Sequence, residues 1–209
     1  RHVELSPDNS YALVPDYDNN VMRKVIITTQ EVTTFAGQTT SGYTNGVGTN
    51  AMFHLPIVIV FSSDGSYALI SDYSNHQIRK LVIATAQVSL FVGSSSGTQG
   101  NTNGIGTNVQ FNNPWGIDIS PDGSYALIVY QSNQEIRKLV ITTAEVSLYA
   151  GSSSGTAGSA NGIGTNAQFR WPTVIDISSE GSYCIIGDHG NNQVRKIQIL
   201  TPPTSSPTT

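Results

Sequence analysis

Short runs of β-branched and aromatic residues, separated by turns rich in Gly, Ser, Asn and Pro, fill the chain from end to end. Four runs open almost alike: Tyr11-Ala-Leu-Val, Tyr67-Ala-Leu-Ile, Tyr125-Ala-Leu-Ile and Tyr183-Cys-Ile-Ile, spaced by 56, 58 and 58 residues. Phe53, Phe111 and Phe169 recur at intervals of 58. A fixed period of this size marks a modular fold.

Each unit carries four strand signals. The first is P-x-x-I-x-I-S, at 56–62 (with Phe61 in the second Ile position), 114–120 and 172–178. A turn of the Pro121-Asp122-Gly123-Ser124 type follows, built from residues that favour turn geometry. The Tyr-Ala-Leu-Ile run is the second strand. The third covers 21–27, 78–83, 136–141 and 194–199, and the fourth covers 32–36, 88–92 and 146–150. Runs of about five β-branched or aromatic residues suit strands, and no window of about 11 residues keeps a helical period. Four short antiparallel strands per unit describe a propeller blade. A Gly-rich connection at 37–53, 93–111 and 151–169 lengthens the unit beyond the roughly 40–45 residues of a compact WD40-type blade.

Within this frame D-x-x-N-x-x-(I/V)-R-K recurs as Asp16, Asn19, Arg23 and Lys24; as Asp72, Asn75, Arg79 and Lys80; and as Asp188, Asn191, Arg195 and Lys196. In the third unit Tyr130 replaces the Asp, while Asn133, Arg137 and Lys138 remain. Together with the N-G-x-G-T-N-A-x-F loop and the F-x-x-P lead into the next strand, the chain resembles the NHL-repeat family up to about Leu200. The resemblance implies an all-β propeller of four-stranded NHL-type blades, at about 1–53, 54–111, 112–169 and 170–200, the last without its outer strand. The repeated Asp and Asn are expected to cap the turn between second and third strands, and the Arg to fix the blade edge. NHL propellers serve as protein-binding platforms, RNA readers, extracellular modules and occasional enzymes, and fold alone does not choose among them.

Arg1 aligns with Ile57, Trp115 and Thr173, just after the repeated proline, so the chain is expected to start inside a first strand. Propellers commonly close by letting one terminus complete the blade begun by the other. The expectation is that upstream residues supply the missing strand, since an unclosed blade exposes a pairing edge.

Only 11% of residues are charged, against roughly 25% in soluble domains. The net charge is −4, which argues against a phosphate-binding surface. No apolar run reaches the roughly 20 residues of a membrane span. The single Cys184 excludes an intrachain disulfide or Cys-based zinc site, and reads as a buried, inert thiol. Thr201, Thr204, Ser205, Ser206, Thr208 and Thr209, set among prolines in 201–209, give the composition of an O-glycosylated stalk or of a plain linker. No N-x-S/T sequon occurs, so glycans would be O-linked.

Glu4, Asp118 and Asp176 hold equivalent positions on the innermost strand, with Val60 in the second unit. Oxygen ligands converging on an axis suit a hard cation such as Ca²⁺; alternatively each acid is solvated or accepts hydrogen bonds near the following turn. Otherwise no cofactor is expected. His2, His54, His76 and His189 fall at unrelated repeat positions and form no metal motif. The amidating lyases of related propeller architecture place His and metal around the axis, and that set is not visible. The G-x-G of Asn161-Gly-Ile-Gly leads into a strand, not the helix a nucleotide site needs. Trp115 and Trp171, beside the strand-opening proline, could stack on a sugar or a partner if exposed, and are expected to pack between blades.

The sequence thus predicts a non-enzymatic structural or protein-binding module of a larger extracellular glycoprotein, such as a filament subunit. Its expected partners are proteins or further copies of itself, with no nucleic acid and no membrane insertion. An intracellular NHL scaffold and a metal-dependent lyase or hydrolase are the alternatives.

Overall fold

The computed structural model describes residues 2–199. The tail 201–209, with the six expected glycan acceptors, lies outside the described residues.

The described residues form four antiparallel sheets, the blades of a β-propeller. The first blade holds β1 (Glu4–Leu5), β2 (Tyr11–Asp16), β3 (Val21–Ile26) and β4 (Val32–Gly37) in sequence order. After a two-residue strand β5 (Gly46–Val47) the second blade follows, with β6 (Pro56–Phe61), β7 (Tyr67–Asp72), β8 (Gln77–Val82) and β9 (Gln87–Val92). The short β10 (Gly104–Ile105) precedes the third blade, β11 (Pro114–Ile119), β12 (Tyr125–Tyr130), β13 (Glu135–Val140) and β14 (Glu145–Gly151). The fourth blade has β15 (Pro172–Ile177), β16 (Tyr183–Asp188) and β17 (Gln193–Gln198), without an outer strand among the described residues.

The first three blades turn through the same chemistry. Ser62 Oγ donates to Asp64 Oδ1 at 2.7 Å and to the Tyr67 carbonyl at 2.9 Å, and Asp64 Oδ1 accepts the Ser66 N–H at 3.0 Å. Ser6–Asp8 and Ser120–Asp122 repeat the arrangement, each at 2.6 Å. On the blade surface, a lysine of the third strand lies over the tyrosine that opens the second. Lys24–Tyr11, Lys80–Tyr67, Lys138–Tyr125 and Lys196–Tyr183 measure 4.0, 4.2, 4.4 and 4.0 Å to the ring centre. These pairs cover the second and third strands and leave the lysine charge toward water.

The core lies between blades. Phe53 packs with Leu13, Met22, Ile59 and Ile70 between the first and second, and Phe111 with Ile57, Val92, Ile128 and Tyr130 between the second and third. Phe169 packs with Val129, Ile136, Ile175 and Ile186 between the third and fourth. Each phenylalanine thus ends its Gly-rich loop as a plug, so the loop orders the blade it precedes. A glycine must end the preceding outer strand: Gly151 has φ +102°, and a Cβ there would meet the Gln134 carbonyl oxygen at 2.6 Å.

The loops also do something that hydrophobic pattern does not announce. β5 pairs antiparallel with the outer strand β9, Gly46 opposite Val88, and β10 pairs with β14, Gly104 opposite Val146. A loop that starts in one sequence unit thereby becomes the fifth strand of the next sheet, crossing the expected boundaries near 53 and 111.

Candidate functional site

Two polar constellations come together. The first is axial. His2, Glu4, Val60, Ile117, Asp118, Val174, Ile175 and Asp176 line a cavity of about 320 Å³. The inner strands β1, β6, β11 and β15 face it through equivalent residues: Val60, Asp118 and Asp176 are each the fifth of their strand, and Glu4, the first of the short β1, matches them on the same face of the pleat. Burial raises Glu4 to about 7, with the charges of Asp118 and Asp176 adding to the shift. Burial also raises Asp118 to about 6, against the pull of two backbone N–H groups. Those groups are Ile119, at 2.8 Å from Oδ1, and Ile177 of the neighbouring blade, at 2.6 Å from Oδ2. Asp118 is therefore a bridge between blades as much as a wall of the cavity.

The three acids expected at the axis do share one cavity. Among the described residues, however, no group of three His, Cys, Asp or Glu is placed to hold a metal ion. Asp118 turns its oxygens toward backbone amides, and this donor set gives Ca²⁺ no cage. His2 joins the cavity unforeseen, because the positions it matches in the other units, Val58, Gly116 and Val174, are apolar or glycine; burial lowers its pKa.

The second constellation is the repeated Asp, Asn and Arg. In the second blade Asp72 Oδ2 accepts Asn75 Nδ2 at 2.8 Å and Arg79 Nη1 at 2.9 Å, while Oδ1 accepts the His54 N–H of the incoming loop at 2.8 Å. Arg79 Nη1 donates to the Met52 carbonyl at 3.1 Å. Its Nη2 donates to the Thr44 carbonyl at 3.2 Å and to Asn45 Oδ1 at 2.8 Å. Asn75 Nδ2 also reaches the Gly42 carbonyl at 2.7 Å. The fourth blade repeats this set. Asp188 holds Asn191 and Arg195 and accepts the Arg170 N–H at 2.8 Å, and Arg195 holds the Gln168 and Ala160 carbonyls and Asn161 Oδ1. Asp72 and Asp188 make no side-chain bond to the backbone of their own turns. The motif is a staple for the incoming loop, and only Asn bridges back to the turn.

A register shift lies just before each arginine in the first three blades, between Met22 and Arg23, Ile78 and Arg79, and Ile136 and Arg137. Such bulges re-aim a side chain, here from the strand onto the loop.

The third blade shows how the motif survives without its Asp. Tyr130 is buried, with its ring 4.9 Å from the Arg137 guanidinium. Glu135, one strand over, supplies the carboxylate at 3.5 Å from Arg137 Nε. Asn101, two residues ahead of the Asn103 that matches Asn45, now bonds Arg137 Nη2 through its side chain and its carbonyl. Asn133, left without an aspartate beside it, keeps only its place in the turn.

Neighbouring blades also meet through left-handed residues. Leu55, Asn113 and Trp171 precede the strand-opening prolines with φ of 54, 56 and 48°. Their N–H groups donate to Asn20 Oδ1, His76 Nδ1 and Gln134 Oε1, at 2.8, 3.1 and 2.5 Å. His76, bland in the sequence, is thus an acceptor at a blade junction. Trp115 stacks edge-on to Tyr73 at 5.4 Å, as packing between blades requires. Trp171 departs from that expectation: it is exposed, with Arg170 over its ring at 5.3 Å. Cys184 is a free, buried thiol pushed up to about 12 by burial.

No protein-family model and no curated protein matches the chain. Solved structures share its fold. An auxiliary nutrient binding protein from Bacteroides thetaiotaomicron superposes with a TM-score of 0.74 at 22% identity, over 93% of this chain and 46% of that one. A protein of unknown function from the same organism gives 0.75 at 24%, over the same shares. A chain of the nidogen/laminin complex gives 0.65 at 12%, over 94% of this chain and 59% of that one. The chain is a β-propeller. It spans just under half the length of the two Bacteroides propellers it resembles. No helix among its described residues is long and apolar enough to cross a membrane.

Proposed function

We propose that the chain is a non-enzymatic, NHL-type building or protein-binding module of a larger extracellular glycoprotein, able to associate with further modules of its own kind. One observation carries this reading. In the second, third and fourth blades the recurring arginine is spent on holding a loop to its blade, and the axial acid Asp118 is spent on backbone amides. A catalytic group needs a reacting atom within its hydrogen-bond reach and a partner that orients it for that atom; here the partners orient structure. A surface poor in charge and a tail of Thr, Ser and Pro support residence outside the cell. The metal-dependent lyase reading finds no support in the axial donor set.

Peptide mass mapping of protein isolated from its native source tests the reading. Hexose or hexosamine masses on Thr201, Thr204, Ser205, Ser206, Thr208 or Thr209 are expected. A tail of unmodified mass in secreted material, or recovery of the protein from the cytosol, would sink it.

A further inference from the structure

The staple is complete in the second and fourth blades, holds its loop through Arg137 in the third, and is half-empty in the first. Arg23 Nε donates to Asp16 Oδ2 at 3.0 Å and Nη1 to Thr34 Oγ1 at 2.6 Å, its own blade supplying both acceptors. Asn19 Nδ2 spans the two Asp16 oxygens, each at 3.0 Å, where Asn75 and Asn191 also hold a loop carbonyl. The Arg23 and Asp16 side chains are 33% and 27% exposed, against 0% for both Arg79 and Asp72. Val32 on β4 is 60% exposed, whereas its counterparts Val88 and Val146 are covered by β5 and β10 to 0% and 1%. These unfilled positions form one groove of about 390 Å³, lined by Val14, Asp16, Tyr17, Arg23, Val25 and Val32 among others.

We propose that this groove is the seat of one further inter-blade loop of the chain's own N-G-x-G-T-N-A-x-F type. The staples of the second and fourth blades state the ligand's chemistry, and Arg137 of the third holds its loop in the same way. The ligand brings two or three carbonyls and an Asn side-chain oxygen for Arg23, and a carbonyl for Asn19. It also brings a backbone N–H for Asp16, a Gly-x dipeptide that pairs beside Glu31 and Val32, and a phenylalanine for the face of the guanidinium. The chain's three internal loops are each engaged in their own blade, so none of them can fill this seat. The inference is independent of where the protein resides or whether its tail is glycosylated.

A synthetic peptide with the sequence of residues 42–54, titrated into the 209-residue chain and followed by calorimetry, tests it. One-to-one binding is expected. Each lost charge-assisted contact is a tenfold effect or more, so Arg23→Gln in the chain, or Asn45→Ala in the peptide, weakens binding at least about tenfold. Arg23 is partly exposed, so the variant keeps its fold, which circular dichroism verifies. In a second arm the same segment is joined ahead of Arg1 by a flexible Gly/Ser linker, which raises its effective concentration to about the millimolar range. The joined protein melts at a higher temperature than the parent, and Arg23→Gln removes the gain. Absence of binding in both arms, or binding indifferent to Arg23→Gln and Asn45→Ala, overturns the proposal. So does a dimer of the parent chain that Arg23→Gln disperses, which would make a second copy the occupant.

Discussion

At the axis, burial sets the proton affinity of Glu4 before any neighbour does, and the Asp118 and Asp176 charges push the same way. A carboxyl raised from its usual value to about 7 holds its proton in the folded state over a range where the unfolded chain has lost it. Stability from this site is therefore present below about pH 4.5 and falls as pH rises through 7. Glu4→Gln should raise the thermal midpoint relative to the parent at pH 8 and leave it nearly unchanged at pH 4. A midpoint difference that stays flat from pH 4 to pH 8 in thermal scans would mean the cavity does not titrate. Asp118, raised to about 6, adds a slope of the same sign that persists in the variant. Cys184 obeys the same physics: a buried thiol at about 12 supplies almost no thiolate at pH 8. A thiol-reactive chromophore should label it only as fast as the fourth blade opens, and rapid stoichiometric labelling of the native chain would contradict its burial. The acids were legible in the sequence because the repeat aligned them. Their cavity partner His2 was not, since its counterparts in the other units, Val58, Gly116 and Val174, carry no polar side chain to mark the position.

At the scale of the element, one motif does different amounts of work according to what covers it. Asp72 and Arg79 are sealed from water by the loop 42–54, so Asp72→Ala leaves a buried guanidinium without its counter-charge. That class of loss costs about 3–5 kcal/mol. Asp16→Ala removes the same pair where water still reaches it and should cost under about 1 kcal/mol. Glu135→Ala belongs with Asp72→Ala, because Glu135 is buried against Arg137 in the blade that lacks the Asp. Urea titrations of the three variants check the order, and an Asp16→Ala loss as large as that of Asp72→Ala would refute the account. The strands themselves were readable from β-branched runs, with bounds off by a residue or so: β13 begins at Glu135, where the pattern suggested 136. The fifth strands β5 and β10 were not readable, because Gly-Val and Gly-Ile carry no alternation. What makes them strands is an edge some 40 residues away in sequence, at Val88 and Val146. The substitution of Glu135 for the missing Asp was hidden for a similar reason: the two positions are neighbours only across a hairpin, Tyr130 opposite Glu135.

Across the whole molecule, stability should follow the count of interfaces each blade shares, as in any array held by nearest neighbours. The second and third blades are covered on both faces and hold most of the fully buried residues, including Leu69, Ile70, Leu127 and Ile128. The fourth has three strands; β17 alternates exposed and half-buried residues, and Val194 stands in solvent. Its loop shows the same deficit from the other side. Gly162 and Ile163, the counterparts of β5 and β10, pair with no strand, because the outer strand they would join is missing from the described residues. Amides of β16 and β17 therefore open by local unfolding at low cost, whereas those of β7, β8, β12 and β13 open only when both flanking cores separate. Native-state hydrogen exchange should rank protection as second and third blades first, the first blade next and the fourth last. Filling the groove on the first blade with the 42–54 segment should raise protection at Val32 and Arg23 and leave β17 unchanged. Uniform protection over all four blades would mean that the array unfolds as one unit and that the two open ends cost it nothing.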